Sequence, residues 1–266
     1  MKQTPRQALV LAGSRGPADP VASAKGLPHK ALVPVAGVPM LERVVETLFG
    51  TGSIEHIIIS ADRLLVEHGF GPKLAPRIDR GQITIAEPRP SPSESVATVL
   101  ESLGSDGFPL LVTTADHPLL TRSMVEHFCK TTLDDADVVI GLAEATTIRS
   151  VYPDAIRTFY RFGDRRFSGC NLFLLTSLRA VNLVRFWREM ERHRKQPWRL
   201  VAAVGLRPLI GYLLNRLSIE DAFSHLGRMV DAKIGMVEML EAEAAIDVDK
   251  PSDLMLVEAI LGTSRG

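Results

Sequence analysis

Six charged side chains, three basic ones near the start of the sequence and three carboxylates at its middle and end, could do chemistry together. The first region opens with the apolar run Ala8-Leu9-Val10-Leu11-Ala12, which breaks at Gly13-Ser14-Arg15-Gly16. The loop that follows carries Arg15, Lys25 and Lys30, with Asp19 as its only acid. A glycine turn at a strand end exposes backbone N–H groups, and such groups bind phosphate. Backbone from Leu11 and Ala12 through Gly16, with the three cations, reads as a cradle for a polyphosphate. The middle and the end supply the carboxylates. Asp116 follows the apolar run Phe108–Thr113 and stands two residues before Pro118, so its carboxylate is fixed at a strand end. It could serve a site there or cap the next helix. Asp247 and Asp249 lie near the end of the chain, two residues apart and on one face if that segment is extended.

The elements that must position these groups can be read from periodicity. Residues 8–12 form a buried strand. Met40, Leu41, Val44, Val45, Leu48 and Phe49 fall at helical spacing, and Gly50-Thr51-Gly52 ends that helix. Ile54–Ser60 is β-branched and short, the second strand of a first strand–helix–strand unit. The spacing further predicts a helix over 61–75, a strand over 83–86, a proline-rich loop over 87–93 and a helix over 94–103. A strand over 108–113, a helix over 123–133 and a strand over 136–142 follow. Residues 144–167 read as irregular and 169–175 as a strand. Residues 177–230 read as a helical insertion, and the tail 244–261 as a short strand, a loop and a closing helix. Alternation of this kind implies an α/β fold, a doubly wound and mostly parallel sheet, in one domain. Ligands on such sheets sit at the carboxyl ends of the strands, where Gly13, Asp116 and the loop around Ser95 fall.

Lys30-Ala31-Leu32-Val33-Pro34-Val35-Ala36-Gly37-Val38-Pro39-Met40, after Leu11-Ala12-Gly13 and a basic loop, resembles a nucleotidyltransferase superfamily. That superfamily includes molybdenum cofactor guanylyltransferases (MobA-like NTP transferases) and sugar-phosphate or alditol-phosphate cytidylyltransferases. Its usual A-G-x-G-x-R places arginine four residues after the first glycine, whereas Arg15 follows Gly13 by two. Asp247-Val248-Asp249-Lys250-Pro251-Ser252-Asp253-Leu254 resembles the superfamily's D-x-D-T-P-E-D-L tail, and Ser95-Val96-Ala97-Thr98-Val99-Leu100 its S-V-x-x-G-L helix start. The resemblance implies a Rossmann-like fold and transfer of an NMP from an NTP, CTP or GTP, to a small phosphorylated acceptor. It implies Lys30, Arg15 and Asp116 as catalytic residues, with Lys30 and Arg15 or Lys25 on the β- and γ-phosphates. It implies Mg²⁺ held by Asp116 with Asp249, or with Asp247. Two hard carboxylates completed by water and phosphate suit that ion. Ser95 would meet the base or ribose and Asn171 the acceptor. Asp253 reads as a capping or surface residue of the last helix, and His117 is set aside because imidazole is a poor Mg²⁺ ligand. A nucleotide-sugar glycosyltransferase is the competing enzyme class, but it would need a D-x-D motif where Thr114-Ala115-Asp116 offers one carboxylate. A non-catalytic nucleotide-binding regulator is the third reading, and it would not require both aspartates.

The totals narrow the setting. The chain has 266 residues, 45% hydrophobic and 23% charged, enough for a sizeable core in one domain. Its formal net charge is zero, which disfavours a nucleic-acid surface. Two cysteines, Cys129 and Cys170, make no disulfide framework, as expected of a cytoplasmic protein. No apolar run spans a membrane. The insertion is expected to shape the acceptor site or a homodimer contact, and not the nucleotide site.

Overall fold

The computed structural model describes residues 4–13, 18–131, 135–193 and 206–263. Its centre is one sheet of eight strands. β1 (Gln7–Ala12), β4 (His56–Ala61), β5 (Ile83–Ala86), β6 (Leu110–Thr114), β7 (Val138–Glu144) and β10 (Ile234–Met239) are parallel to their parallel neighbours. The order across the sheet is β5-β4-β1-β6-β9-β7-β10. β9 (Arg165–Leu175) runs antiparallel between β6 and β7, and β8 (Tyr160–Phe162) hangs on its outer end as a hairpin. β2 (Pro34–Val35) and β3 (Val38–Pro39) form a separate small hairpin.

Strands buried on both faces must be apolar, and β1 is from Ala8 to Ala12. Ala8, Val10 and Ala12 face one core and Leu9 the other. The first core packs α2 (Met40–Gly50) and α6 (Arg122–Thr131) against the sheet. The second packs α5 (Pro92–Leu103), α8 (Ala180–His193) and α10 (Ile219–Val230) against the other face. A smaller cluster joins α1 (Pro20–Ala24) and the β2–β3 hairpin to Ile246, Val248 and the last helix, α11 (Pro251–Thr263).

The structure departs from the expected elements in three places. The helix over 61–75 is two helices, α3 (Arg63–His68) and α4 (Gly71–Asp79), because Gly69 takes φ 85° between them. The stretch expected to be irregular holds α7 (Ala145–Val151), β8 and the start of β9. The tail strand lies at Ile234–Met239, and Ala242–Ala245 is a short 3₁₀ turn instead. The run Glu243-Ala244-Ala245 lacks the branched side chains that favour a strand. The described part of residues 177–230 holds α8, α9 (Leu206–Leu213) and α10, while residues 194–205 lie outside the described set.

Candidate active site

The crevice for a ligand is set by topology. β1 has β4 on one side and β6 on the other, so the connections leaving β1 and β6 part in opposite directions. A doubly wound sheet opens a cleft at such a point, beyond the carboxyl ends of the strands. Here it is a groove of about 1070 Å³. Gly13 just after β1 lines it, with Ser60 from β4, Thr114 from the end of β6, Asp116 just beyond it, and Pro88 to Ser91 with Pro92, Glu94 and Ser95 at the entry to α5. Ala115 N–H donates to Leu11 O at 2.9 Å, which keeps the two strand ends together as they leave the ladder.

Lys30 reaches this groove from a 3₁₀ turn, Lys30–Leu32. His29 caps the turn by accepting the Ala31 N–H on Nδ1 at 3.0 Å. Beyond it, Ala36 and Gly37 take φ 49° and 81°, the two positive values that a two-residue hairpin turn requires. This explains the glycine within Pro34–Pro39. The hairpin carries Val35 into the third core and anchors the segment that presents Lys30.

Lys30 Nζ donates to Asp116 Oδ2 at 2.5 Å and to Asp249 Oδ1 at 3.3 Å. Burial pushes the Lys30 ammonium toward its neutral form, but Asp116 and Asp249 outweigh this and hold it raised. The tail is tied to the same spot: Val248 N–H donates to Asp116 O at 2.9 Å. Asp253 Oδ2 accepts from the N–H groups of Asp249 and Lys250 at 3.0 and 3.1 Å, so it acts as a cap. The result is two carboxylates from distant parts of the chain meeting on one cation.

The donor set at this point suits a magnesium ion. Asp116 Oδ1 and Thr114 Oγ1 are buried without a hydrogen-bond partner among the described residues. A buried oxygen of that kind needs a cation or a proton donor. Asp249 is the more exposed of the pair, with 58% of its side chain accessible. Among the described residues no cluster of three or more His, Cys, Asp or Glu offers a cage. Mg²⁺ needs none, since one or two carboxylates, water and phosphate suffice.

Asp247 is a different case. Its Oδ1 pairs with Arg157 Nη2, its backbone carbonyl accepts from Arg157 Nη1 at 3.3 Å, and its Oδ2 accepts from Asn171 Nδ2 at 2.8 Å. Each carboxylate oxygen of Asp247 thus already has a protein partner, whereas Asp116 Oδ1 has none among the described residues. Asn171 is the second of those partners, through one N–H of its amide. It sits where the β7–β9 register shifts, in the left-handed region at φ 50°, and the bulge aims its amide at Asp247. Arg157, Asp247 and Asn171 together form a brace behind the tail. His117 is fully buried and burial lowers its pKa, so it is held neutral.

The remaining expected residues divide. Gly13 and Leu11 line the groove, and Ala12 is buried beneath it. Ser95 also lines it, but its hydroxyl accepts Arg89 N–H at 2.8 Å and donates to Ser91 O at 3.1 Å. It therefore shapes the 87–91 loop. Lys25 pairs with Glu258 on α11 at 3.6 Å and is not on the groove wall. Ser14, Arg15 and Gly16 lie outside the described residues. Three residues that sequence reasoning missed take part. Arg157 lies in a stretch without periodicity, ninety positions from Asp247. Arg89 lies in the proline-rich loop and lines the groove. Glu191 comes from α8 in the insertion, lines the groove, and accepts from Ser93 Oγ. Glu191 thus makes α8, within residues 177–230, part of the groove wall.

The model of the MobA-like NTP transferase domain family matches residues 8–169. The chain belongs to that family. Its members are nucleotidyltransferases, and transfer of a nucleotidyl group is the general activity this assigns. The match holds the Gly13, Lys30 and Asp116 portion and ends before the Asp249 tail. Among solved structures, a hypothetical transferase from Thermus thermophilus aligns over 95% of this chain and 100% of its own, with 28% identity and a TM-score of 0.76. Two more distant structures share the fold, each at a TM-score of 0.56. CMP:2-keto-3-deoxy-manno-octonic acid synthetase, complexed with CTP, aligns over 97% of this chain and 98% of its own at 13% identity. The 4-diphosphocytidyl-2C-methyl-D-erythritol synthase of Anaerococcus prevotii aligns over 96% and 95% at 14% identity. No curated protein matches the chain. No helix among the described residues is long and apolar enough to cross a membrane.

Proposed function

We propose that this NTP transferase moves an NMP from an NTP, CTP or GTP, to a phosphorylated acceptor, with Mg²⁺ and release of pyrophosphate. An acceptor phosphate oxygen forms a bond to the α-phosphorus, the bond from that phosphorus to the bridging oxygen of the β-phosphate breaks, and the electron pair leaves with pyrophosphate. No covalent nucleophile is needed from the protein. It must hold two anions in line and offset their charge.

The observation that carries this reading is the meeting of Lys30, Asp116 and Asp249 beside Gly13 at the sheet's cleft. Lys30 keeps its proton in this setting, so it offers a full positive charge to the β- and γ-phosphates. The backbone at Gly13 approaches the groove with no side chain in the way. Arg89 adds a second cation to the groove lining. Asp116 and Asp249 are the residues that would hold Mg²⁺. Bound there, the ion would offset charge on the α-phosphate and the incoming oxygen. The Arg157–Asp247–Asn171 brace keeps the tail in place so that Asp249 faces Asp116.

The test is a screen of the four NTPs, with pyrophosphate release followed against a panel of phosphorylated sugars, alditols and alkyl phosphates, with and without Mg²⁺. Release that depends on acceptor and on Mg²⁺, with one preferred NTP, supports the reading. Transfer of a sugar from a nucleotide-sugar with no pyrophosphate would replace it by the glycosyltransferase alternative.

A further inference from the structure

A second cavity, of about 280 Å³, lies between the sheet and the helices of its second face. Its wall is built from Val112, Ile140 and Phe173 of the sheet, Val96 of α5, Leu183 of α8 and Leu226 of α10. The space is partly open to solvent, and apolar wall left in contact with water favours an apolar occupant. Water is a poor one, because a carbon wall gives it nothing to bond. A nucleobase is also poor, because its donors and acceptors would be buried unpaired.

The cavity adjoins the candidate active site. Leu11 and Pro92 line both spaces. Ser93, on the cavity side, donates its hydroxyl to Glu191 on the groove side. Two of the walls, α8 and α10, belong to the insertion, which lies beyond the residues that the family model matches. An engineered apolar cavity of roughly 150 Å³ takes up benzene. By that scale this one holds roughly ten carbon atoms.

We infer that the cavity receives the apolar portion of the acceptor, which is an amphiphilic phosphate with a hydrocarbon tail of about ten carbons and its head in the groove near Lys30. The inference rests on the transfer reading above and specifies its acceptor class. The insertion then has a chemical purpose: it roofs the tail site while α8 sends Glu191 to the head-group side.

The experiment is calorimetric titration of the full chain with n-alkyl phosphates from methyl to dodecyl, all below their micelle concentrations, alongside separate titration with each NTP. Affinity should rise about threefold to fourfold for each added methylene and level off near ten carbons. Ile140→Phe fills the cavity from the sheet, and Leu226→Trp fills it from the partly buried helix edge, where folding is less at risk. In each folded variant decyl phosphate should fall to the affinity of methyl phosphate, with NTP affinity unchanged. A wild-type series flat in chain length, or a decyl preference that survives in Leu226→Trp, overturns the inference. A flat series with NTP binding intact removes the tail site alone. A rising series with no NTP binding would overturn the transfer reading and leave an amphiphile-binding protein.

Discussion

Lys30 and Asp116 stand eighty-six positions apart in the chain and share a 2.5 Å hydrogen bond, on which Asp249 also converges at 3.3 Å. The two carboxylates outweigh burial and keep the ammonium charged. This places a permanent cation between two groups that could hold another. Lys30→Ala should weaken NTP binding by about 1.5–3 kcal/mol, the scale of a charge-assisted hydrogen bond. Lys30→Arg should recover only part of this, because a planar fork does not replace a compact ammonium. Calorimetry with the preferred NTP decides it, and unchanged affinity in Lys30→Ala would remove Lys30 from the triphosphate site.

The brace behind the tail should behave as structure. Arg157 and Asp247 are mostly buried, with 12% and 16% of their side chains accessible. Removing one member leaves the other charge without its partner, which costs about 3 kcal/mol or somewhat more in buried pairs. Asp247→Ala and Arg157→Ala should each lower stability by that order, and the double variant should be no worse than either. Urea unfolding of the four proteins measures this. An Asp247→Ala protein of normal stability that has lost its Mg²⁺ response would instead return Asp247 to the metal.

Much of the site was legible because it depends on local signals. The strand at 8–12, the glycine break and the Lys30–Met40 segment are each contiguous, and their positions relative to one another follow from one strand–turn–helix step. Asp116 was legible as the end of an apolar strand. What distinguishes Asp247 from Asp249 was not, because the partners of Asp247 are Arg157 and Asn171, ninety and seventy-six positions away. Ser95 looked like a ligand contact, but its hydroxyl serves a loop whose proline-rich sequence gives no sign of it. Glu191 sits among charged residues on an amphipathic helix and reads as one more solvated side chain. Only the packing of α8 against α5 brings it to the groove.

Stability should fall on mild acidification. Burial lowers the pKa of His117, with Asp247 and Asp116 pulling the other way, and burial lowers that of His29 against the pull of Asp62 and Asp19. The unfolded chain takes up protons at these rings near pH 6.5, and the folded chain does so only at lower pH. Stability from this source is complete above about pH 6.5 and is lost as the pH drops toward the folded values, by at most about 1.4 kcal/mol per pH unit for each ring. The urea midpoint should therefore be lower at pH 5.5 than at pH 7.5. A midpoint that holds steady or rises over that interval would contradict the buried neutral assignment.

Asp116 and Asp249 should act as one unit. They approach the same ammonium from a central strand end and from a loop tied to that strand end by the Val248 N–H to Asp116 O bond. If both hold one Mg²⁺, either Asp→Asn change removes most of the bound metal. Each single variant should lose on the order of a hundredfold or more in turnover. The double variant should be little worse than the singles, because effects inside one unit do not add. Lys30 gives the experiment a second readout. With one carboxylate neutralised, Lys30 loses part of the attraction that holds its pKa up, so its pKa should fall in Asp116→Asn, which removes the 2.5 Å partner, more than in Asp249→Asn, which removes the 3.3 Å one. The measurements are a double-mutant cycle on pyrophosphate release at saturating Mg²⁺ and the titration of the Lys30 amine by NMR in the metal-free variants. Fully additive losses in turnover, or near-normal turnover in Asp249→Asn, would refute a shared ion. An unaltered Lys30 titration in Asp116→Asn would refute the contact itself.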